Sequence, residues 1–313
     1  MFQFIANIIT FKILRLAEGP RLTEVINYFI YDSIKILSLI LIMVTIIAFA
    51  RTWVNPVKMR KWMKKASFGV GNLVAAMFGA ATPFCSCSSI PIFASFLEAG
   101  IPLGIAFSFL ITSPLVNEVA FVIMGGLFGW RIALLYATSG IALGVVGGMT
   151  IGAMKMEKEI ILETRDEAQY EKKLPKKLDK KIHYALHVGW FTFKRLLPYV
   201  LGGVALGAAI HGYVPKEFFM DTIGKYKTFS VPIATLIGIP IYAGCSTIVP
   251  VIFSITANGV PLGTSLAFMM AIAGLSLPEA IILKRVMSLK LLLTFFGVVA
   301  IGIMMIGYLF NAL

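Results

Sequence analysis

Two apolar runs limit what this chain can become. Residues 288 to 312 carry one charge, Lys290, and residues 132 to 154 carry none. Each exceeds the ~18 residues that mark a helix able to cross a bilayer. A β-barrel would instead show weakly alternating segments of about ten residues, and these are absent. Only 14% of the 313 residues are charged, against about 25% in a soluble domain, and the mean hydropathy is +0.89. The expectation is an all-α polytopic membrane protein, with the lipid bilayer as its first partner.

The net charge of +13 fits that class, because basic residues collect in cytoplasmic loops. Nucleic-acid binding would need a basic face on a folded soluble domain, and the sequence offers none. Residues 1–27 open with "MFQFIANIITFKILRLAEG", where Lys12 and Arg15 interrupt the apolar run and no small-residue cleavage site follows. This segment is expected to be an amphipathic helix at the membrane interface, not a signal peptide. Three cysteines do not make a secreted disulfide framework.

One register relates the sequence to itself. Lys35 matches Lys194, Pro56 matches Pro215 and Pro91 matches Pro250, each pair 159 residues apart, and "AGIPLG" (99–104) falls on "NGVPLG" (258–263). The chain therefore reads as two copies of one unit, residues 28–153 and 187–313, joined by a charged linker, 154–186. That linker and the basic loop 51–66 are expected on the cytoplasmic side. The first span of copy one then ends inside while its mate starts inside, so the copies face opposite ways. The expected fold is two inverted repeats of about four membrane segments each, with discontinuous or re-entrant helices at the centre.

Those central segments are broken. Pro83, Pro91, Pro102 and Pro114 punctuate copy one, and Pro232, Pro240, Pro250, Pro261 and Pro278 punctuate copy two. The pieces are about 10 to 16 residues long, too short for a span, and each proline is expected to bend or interrupt its helix. Freed backbone is tolerated at membrane depth only when it is buried in protein or lines a cavity. Matching breaks in two halves are the strongest sequence pointer to a transporter site.

The polar content of the bends is specific. Copy one offers "CSCSS" (85–89) and copy two "GCST" (244–247), with Ser86 on Cys245, Cys87 on Ser246 and Ser88 on Thr247. A lone buried cysteine is usually an inert small hydrophobe. Here all three cysteines, Cys85, Cys87 and Cys245, fall on two equivalent bends and are expected to converge. They are candidate ligands for a soft metalloid, with Ser86, Ser88, Ser246 and Thr247 completing the cage. Downstream lie Asn117 with Glu118, and Glu279, which becomes equivalent to Glu118 if the register slips by two residues. An acid inside a membrane is costly and functional by default, so these three are candidate coupling residues, with Glu118 the group expected to carry a proton. Lys35 and Lys194 are expected near helix starts, snorkelling to the interface.

Taken together, "TPFCSCSSIPIF", "GIPLGIAFSFLITSPLVNEVA" and "YAGCSTIVPV" resemble the predicted permease family that includes the ArsP organoarsenical efflux permeases and YraQ-like proteins. The resemblance runs over nearly the whole chain and both repeat cores. It implies a multi-pass permease of the cell (inner) membrane. Characterised members export trivalent organoarsenicals such as methylarsenite by way of cysteines, which lands the thiol role on Cys85 and Cys87, with Cys245 matched by position. No Walker-type phosphate loop is present, so the chain is not expected to hydrolyse ATP, and no cofactor is expected. Three other readings stay open from the residues: a permease for another thiophilic or sulfur-containing solute, a membrane thiol-disulfide oxidoreductase, and a passive channel. The redox reading usually needs a C-x-x-C pair, whereas Cys85 and Cys87 are C-x-C.

Overall fold

The segments between the glycine-proline turns are too short to cross a bilayer and too apolar to face water, so they pack inside protein. The computed structural model describes residues 2–14, 21–51, 69–82, 86–98, 100–161, 178–213, 229–241, 245–257 and 259–313. In chain order the helices are α1 (Phe2–Asn7, continuing as a π-helical stretch, Ile8–Ile13), α2 (Arg21–Arg51), α3 (Val70–Ala80), α4 (Ser86–Glu98), α5 (Leu103–Leu115), α6 (Glu118–Leu127), α7 (Trp130–Ala153), α8 (Leu178–Tyr213), α9 (Ser230–Gly238), α10 (Cys245–Ala257), α11 (Leu262–Gly274), α12 (Leu277–Leu283) and α13 (Leu289–Ala312). Among the described residues there is no strand, only an isolated bridge between Ile160 and Met287. The protein is an all-α, multi-pass membrane protein. By length and composition α7, α13 and the run Leu262–Leu283 can each cross a membrane, and α5 with α6, bent by 42°, can form a fourth span.

The register read from the sequence recurs in the helices. Both ends of α4 and α10, of α5 and α11, and of α7 and α13 are 159 residues apart, as are the starts of α6 and α12. The turns before α5 and α11 repeat too. Gly100 and Gly259 both take a left-handed backbone (φ 70 and 97), and Pro102 and Pro261 precede the first helical turns. Side chains rarely adopt that backbone, which is why glycine holds both positions.

Not every proline breaks a helix. Pro91 lies inside α4 and Pro250 inside α10, while Pro114 sits in the last turn of α5. A proline inside a helix removes one hydrogen bond, and the surrounding packing holds the helix through it. Pro102, Pro240 and Pro261 do lie in turns, and two further breaks fall at Val116–Asn117 and Leu275–Ser276.

The chain divides into two compact units that cut across the repeats: Met1–Thr52 with Pro175–Asp221, and Trp53–Leu174 with Thr222–Leu313. In the first, α2 and α8 pack along each other, and a Cβ at Gly189 would strike Thr45. The N-terminal helix docks on α2 through an amide cluster. Asn27 donates to Asn7 Oδ1 and Thr10 Oγ1 (both 3.1 Å), while Gln3 donates to Asn27 Oδ1 (3.0 Å). Phe4 and Ile13 stay exposed. Lys35 and Lys194 are not near helix starts: they lie near the middle of 31- and 36-residue helices. The polar stretches before them continue the same helices, because no breaker separates the two. Lys35 lies over the Tyr31 ring (5.4 Å) and Lys194 over the Trp190 ring (5.3 Å), a pairing repeated at the same offset.

In the second unit α5 is buried along its whole length and α11 nearly so. Small residues let helices close on them. A Cβ at Gly104 would stand 2.6 Å from the Gly148 carbonyl, and one at the equivalent Gly263 would land on the Gly307 carbonyl. Without a hydrophobic drive between helices in lipid, such close packing and buried hydrogen bonds hold the bundle. Asn72 donates to Ser108 Oγ (2.9 Å), and Asn311 donates to Thr264 Oγ1 (3.1 Å). Val146, Leu293, Ile301 and Met305 remain exposed on α7 and α13, apolar surface suited to lipid. The start of the linker is bonded to the residues around the start of α13. Ser288 donates to the Glu159 carboxylate (2.6 Å), and Ile161 N–H donates to the Val286 carbonyl (2.9 Å).

Candidate functional site

The breaks of the two core helices meet. At Gly274, the last residue of α11, an added Cβ would stand 3.0 Å from Leu115, the last residue of α5. These residues are each other's counterparts, 159 apart. Packing around them is reciprocal, with α6 against α10 and α12 against α4. Phe128 at the end of α6 meets Phe253 of α10 edge-on at 5.2 Å.

Helix α4, which carries Cys87 in its first turn, is tied to this junction. Ser89, in the first turn of α4, shares a 2.7 Å hydrogen bond with Ser113, in the last turn of α5, and both are fully buried. In the second copy the same two positions are Ile248 and Ile272, also buried, so α10 is held against α11 by apolar packing. Ser86, Cys87 and Ser88 open α4, and Cys245, Ser246 and Thr247 open α10. Their side chains, and Cys85 altogether, lie outside the described residues, as therefore does the expected convergence of thiols. The Ser89–Ser113 pair was not among the residues singled out from the sequence, since a serine inside an apolar helix has no signature until its partner is known.

The two acids occupy different environments. Asn117 caps α6, its Oδ1 accepting from Val119 N–H (2.9 Å) and Ala120 N–H (3.3 Å). Glu118, the first residue of α6, is exposed beside exposed Val119 and Val122. Glu279, the third residue of α12, is 1% exposed. Because α6 and α12 start 159 residues apart, the two-residue slip is not used. The counterpart of Glu279 is Ala120, also 1% exposed, and the counterpart of Glu118 is Leu277. A further residue emerges here: Ser276, the counterpart of Asn117, is 1% exposed, and its Oγ has no hydrogen-bond partner among the described residues.

A family model described as a predicted permease, ArsP_1, matches residues 21–312. The UPF0718 protein MJ0584 of Methanocaldococcus jannaschii is 23% identical, the match covering 75% of this chain and 80% of that protein. The UPF0718 protein YraQ of Escherichia coli K12 is also 23% identical, over 76% of this chain and 66% of YraQ. A Streptococcus mutans protein named as a candidate subunit of a two-component membrane permease complex is 24% identical, over 86% of this chain and 89% of its own. No solved structure matches. The chain is a multi-pass membrane protein that belongs to the ArsP_1 family of predicted permeases.

Proposed function

We propose that this permease exports trivalent organoarsenicals such as methylarsenite across the cell (inner) membrane, through a midplane site formed by Cys85, Cys87 and Cys245 with Ser86, Ser88, Ser246 and Thr247. The observation that carries the reading is the meeting of two broken core helices at Leu115 and Gly274, with the first turn of α4 bonded to one of them through Ser89 and Ser113. Trivalent arsenic is soft and prefers sulfur ligands. A methylated arsenic(III) dihydroxide has two exchangeable positions, so two convergent thiols suit it. Each thiol displaces one hydroxide, its proton leaves with that hydroxide as water, and no oxidation state changes.

The repeats are inverted in this reading, related by a twofold axis in the membrane plane. Support comes from α7 and α13. An added Cβ at Gly302 would meet Leu143, its own counterpart, and one at Gly147 would lie 3.7 Å from Val298. The partner numbers fall as α7 advances, so two equivalent helices of spanning length run antiparallel. Substrate sites of inverted-repeat transporters lie at such an interface, near the midplane. Export is coupled to the proton gradient through the acids at the breaks, Glu118 beside Asn117 and Glu279.

Everted vesicles supplied with labelled methylarsenite test this. Uptake should rise with an imposed pH gradient, and Cys87→Ser and Cys245→Ser should lose it. If a chain with all three cysteines changed to serine still accumulates methylarsenite, thiol ligation is wrong. If the wild-type chain prefers another soft solute in a competition panel, the permease stands with a different cargo.

A further inference from the structure

The three histidines of the chain all lie on α8, and two of them, His183 and His187, stand four residues apart near its start. The packing of the helix fixes where they face. Ala185 is 2% exposed, and an added Cβ at buried Gly189 would strike Thr45 of α2. The stripe through Ala185 and Gly189 is therefore the one laid against α2. Residues two positions away stand about 200° round a helix. His183 and His187 occupy those positions, and both are exposed. The pair sits on the outer face of a helix whose inner face is held by its neighbour.

A spacing of four puts the two Cβ atoms about 5–6 Å apart. Two imidazoles at that distance can close on one metal ion, at about 2.0–2.1 Å each. Two histidines at this spacing on one helix face are the arrangement that binds zinc in helical metal motifs. The backbone is already helical, so closing the chelate orders only the two side chains. Imidazole suits nickel, copper and zinc, whereas magnesium and calcium take oxygen ligands. Among the described residues no group of three or more His, Cys, Asp or Glu is placed to hold a metal, so water completes the coordination and the ion can exchange. Asp179 and Lys180, both exposed, lie one turn before His183, and their charges offset each other. The duplication does not account for the pair, since its counterparts 159 residues earlier are Glu24 and Tyr28.

We propose that His183 and His187 form a two-histidine site for a divalent transition-metal ion of the nickel, copper and zinc group, on the exposed face of α8. The ion is an exchangeable ligand there, not a resident cofactor, and it ties two successive turns of the helix together. In the inverted arrangement the charged linker before α8 is cytoplasmic, so the site samples the cytoplasmic ion pool. Neither the arsenical cargo nor the coupling acids enter the site, and it can be tested without any substrate.

The measurement is titration of the purified full-length chain in detergent, carrying no histidine tag, with nickel alone, followed by calorimetry and by amide exchange. The three cysteines can also take such ions, but they are the same in every variant, so the site is read as the difference between wild type and variant. Wild type should bind nickel and show slower exchange in the turn from His183 to His187, and magnesium should do neither. His183→Asn and His187→Asn should each weaken that binding phase by about tenfold or more and abolish the slowing. Both side chains are exposed, so these variants keep the packing against α2. His211→Asn, about six turns further along α8, should titrate as wild type does. If wild type and His183→Asn take up nickel alike, or if nickel leaves exchange in that turn unchanged, the site is overturned. A loss confined to one of the two single variants would mark a one-histidine contact and overturn the chelate as well.

Discussion

Gly104 and Gly263 show how little room the core leaves at single residues. Each sits where a methyl group would press on the backbone of the neighbouring long helix. Gly104→Ala and Gly263→Ala should each cost about 1–3 kcal/mol or more, read as a lower melting temperature or loss of monodisperse protein. Gly126→Ala, with nothing within 4 Å, is the control that should behave as wild type or better. The buried Ser89–Ser113 pair makes a second residue-level prediction. Ser89→Ala should cost about 1–3 kcal/mol, because it strands the hydroxyl of Ser113. The double alanine variant should then cost less than the sum of the singles, and strict additivity would show that the bond is not made. Neither feature was legible in the sequence. A glycine or a serine acquires its meaning from the atom opposite, and periodicity does not supply that atom.

At the scale of elements, the helix pieces were legible and their ends less so. Short segments of about the right length were expected between residues 67 and 128, and α3 to α6 are 10 to 13 residues long. The prolines misled at Pro91 and Pro250, since packing decides whether a lost hydrogen bond becomes a break. Asn117 looked like part of a proton path and is, in its contacts, the cap of α6. Asn117→Ala should cost about 1 kcal/mol, with faster amide exchange in the first turn of α6, and Asn117→Asp should keep the cap. If alanine leaves exchange at Val119 and Ala120 unchanged, capping is not what that side chain contributes.

The whole molecule carries a prediction about sidedness. The linker that follows α7 bonds to the start of α13, through Glu159 with Ser288, so these two helix ends lie together. With the basic linker inside, α13 starts inside and, as a single span of 24 residues, ends outside. A reporter that works only outside the cytoplasm should be active when fused after Leu313, and one that works only in the cytoplasm should be silent there. The reverse result would rule out the inverted arrangement. The division into compact units was not legible at this scale. The repeat register matches α2 with α8, yet it gives no hint that these two helices form a unit of their own, because a register relates positions and says nothing of who packs on whom.

By itself the sequence determined the class, the repeat and its register, the glycine-proline turns and the family. Apolar length, charge placement and backbone chemistry are written residue by residue, and a duplicated pattern needs no contacts to be seen. Tertiary structure alone decided which of two acids is buried, that Ser276 does not cap its helix, and that the core helices break against each other at Leu115 and Gly274. Burial and hydrogen-bond partnership are properties of what lies across a helix interface. From the sequence Glu118 is the acid expected to carry the proton, yet packing leaves Glu118 at the surface and encloses Glu279.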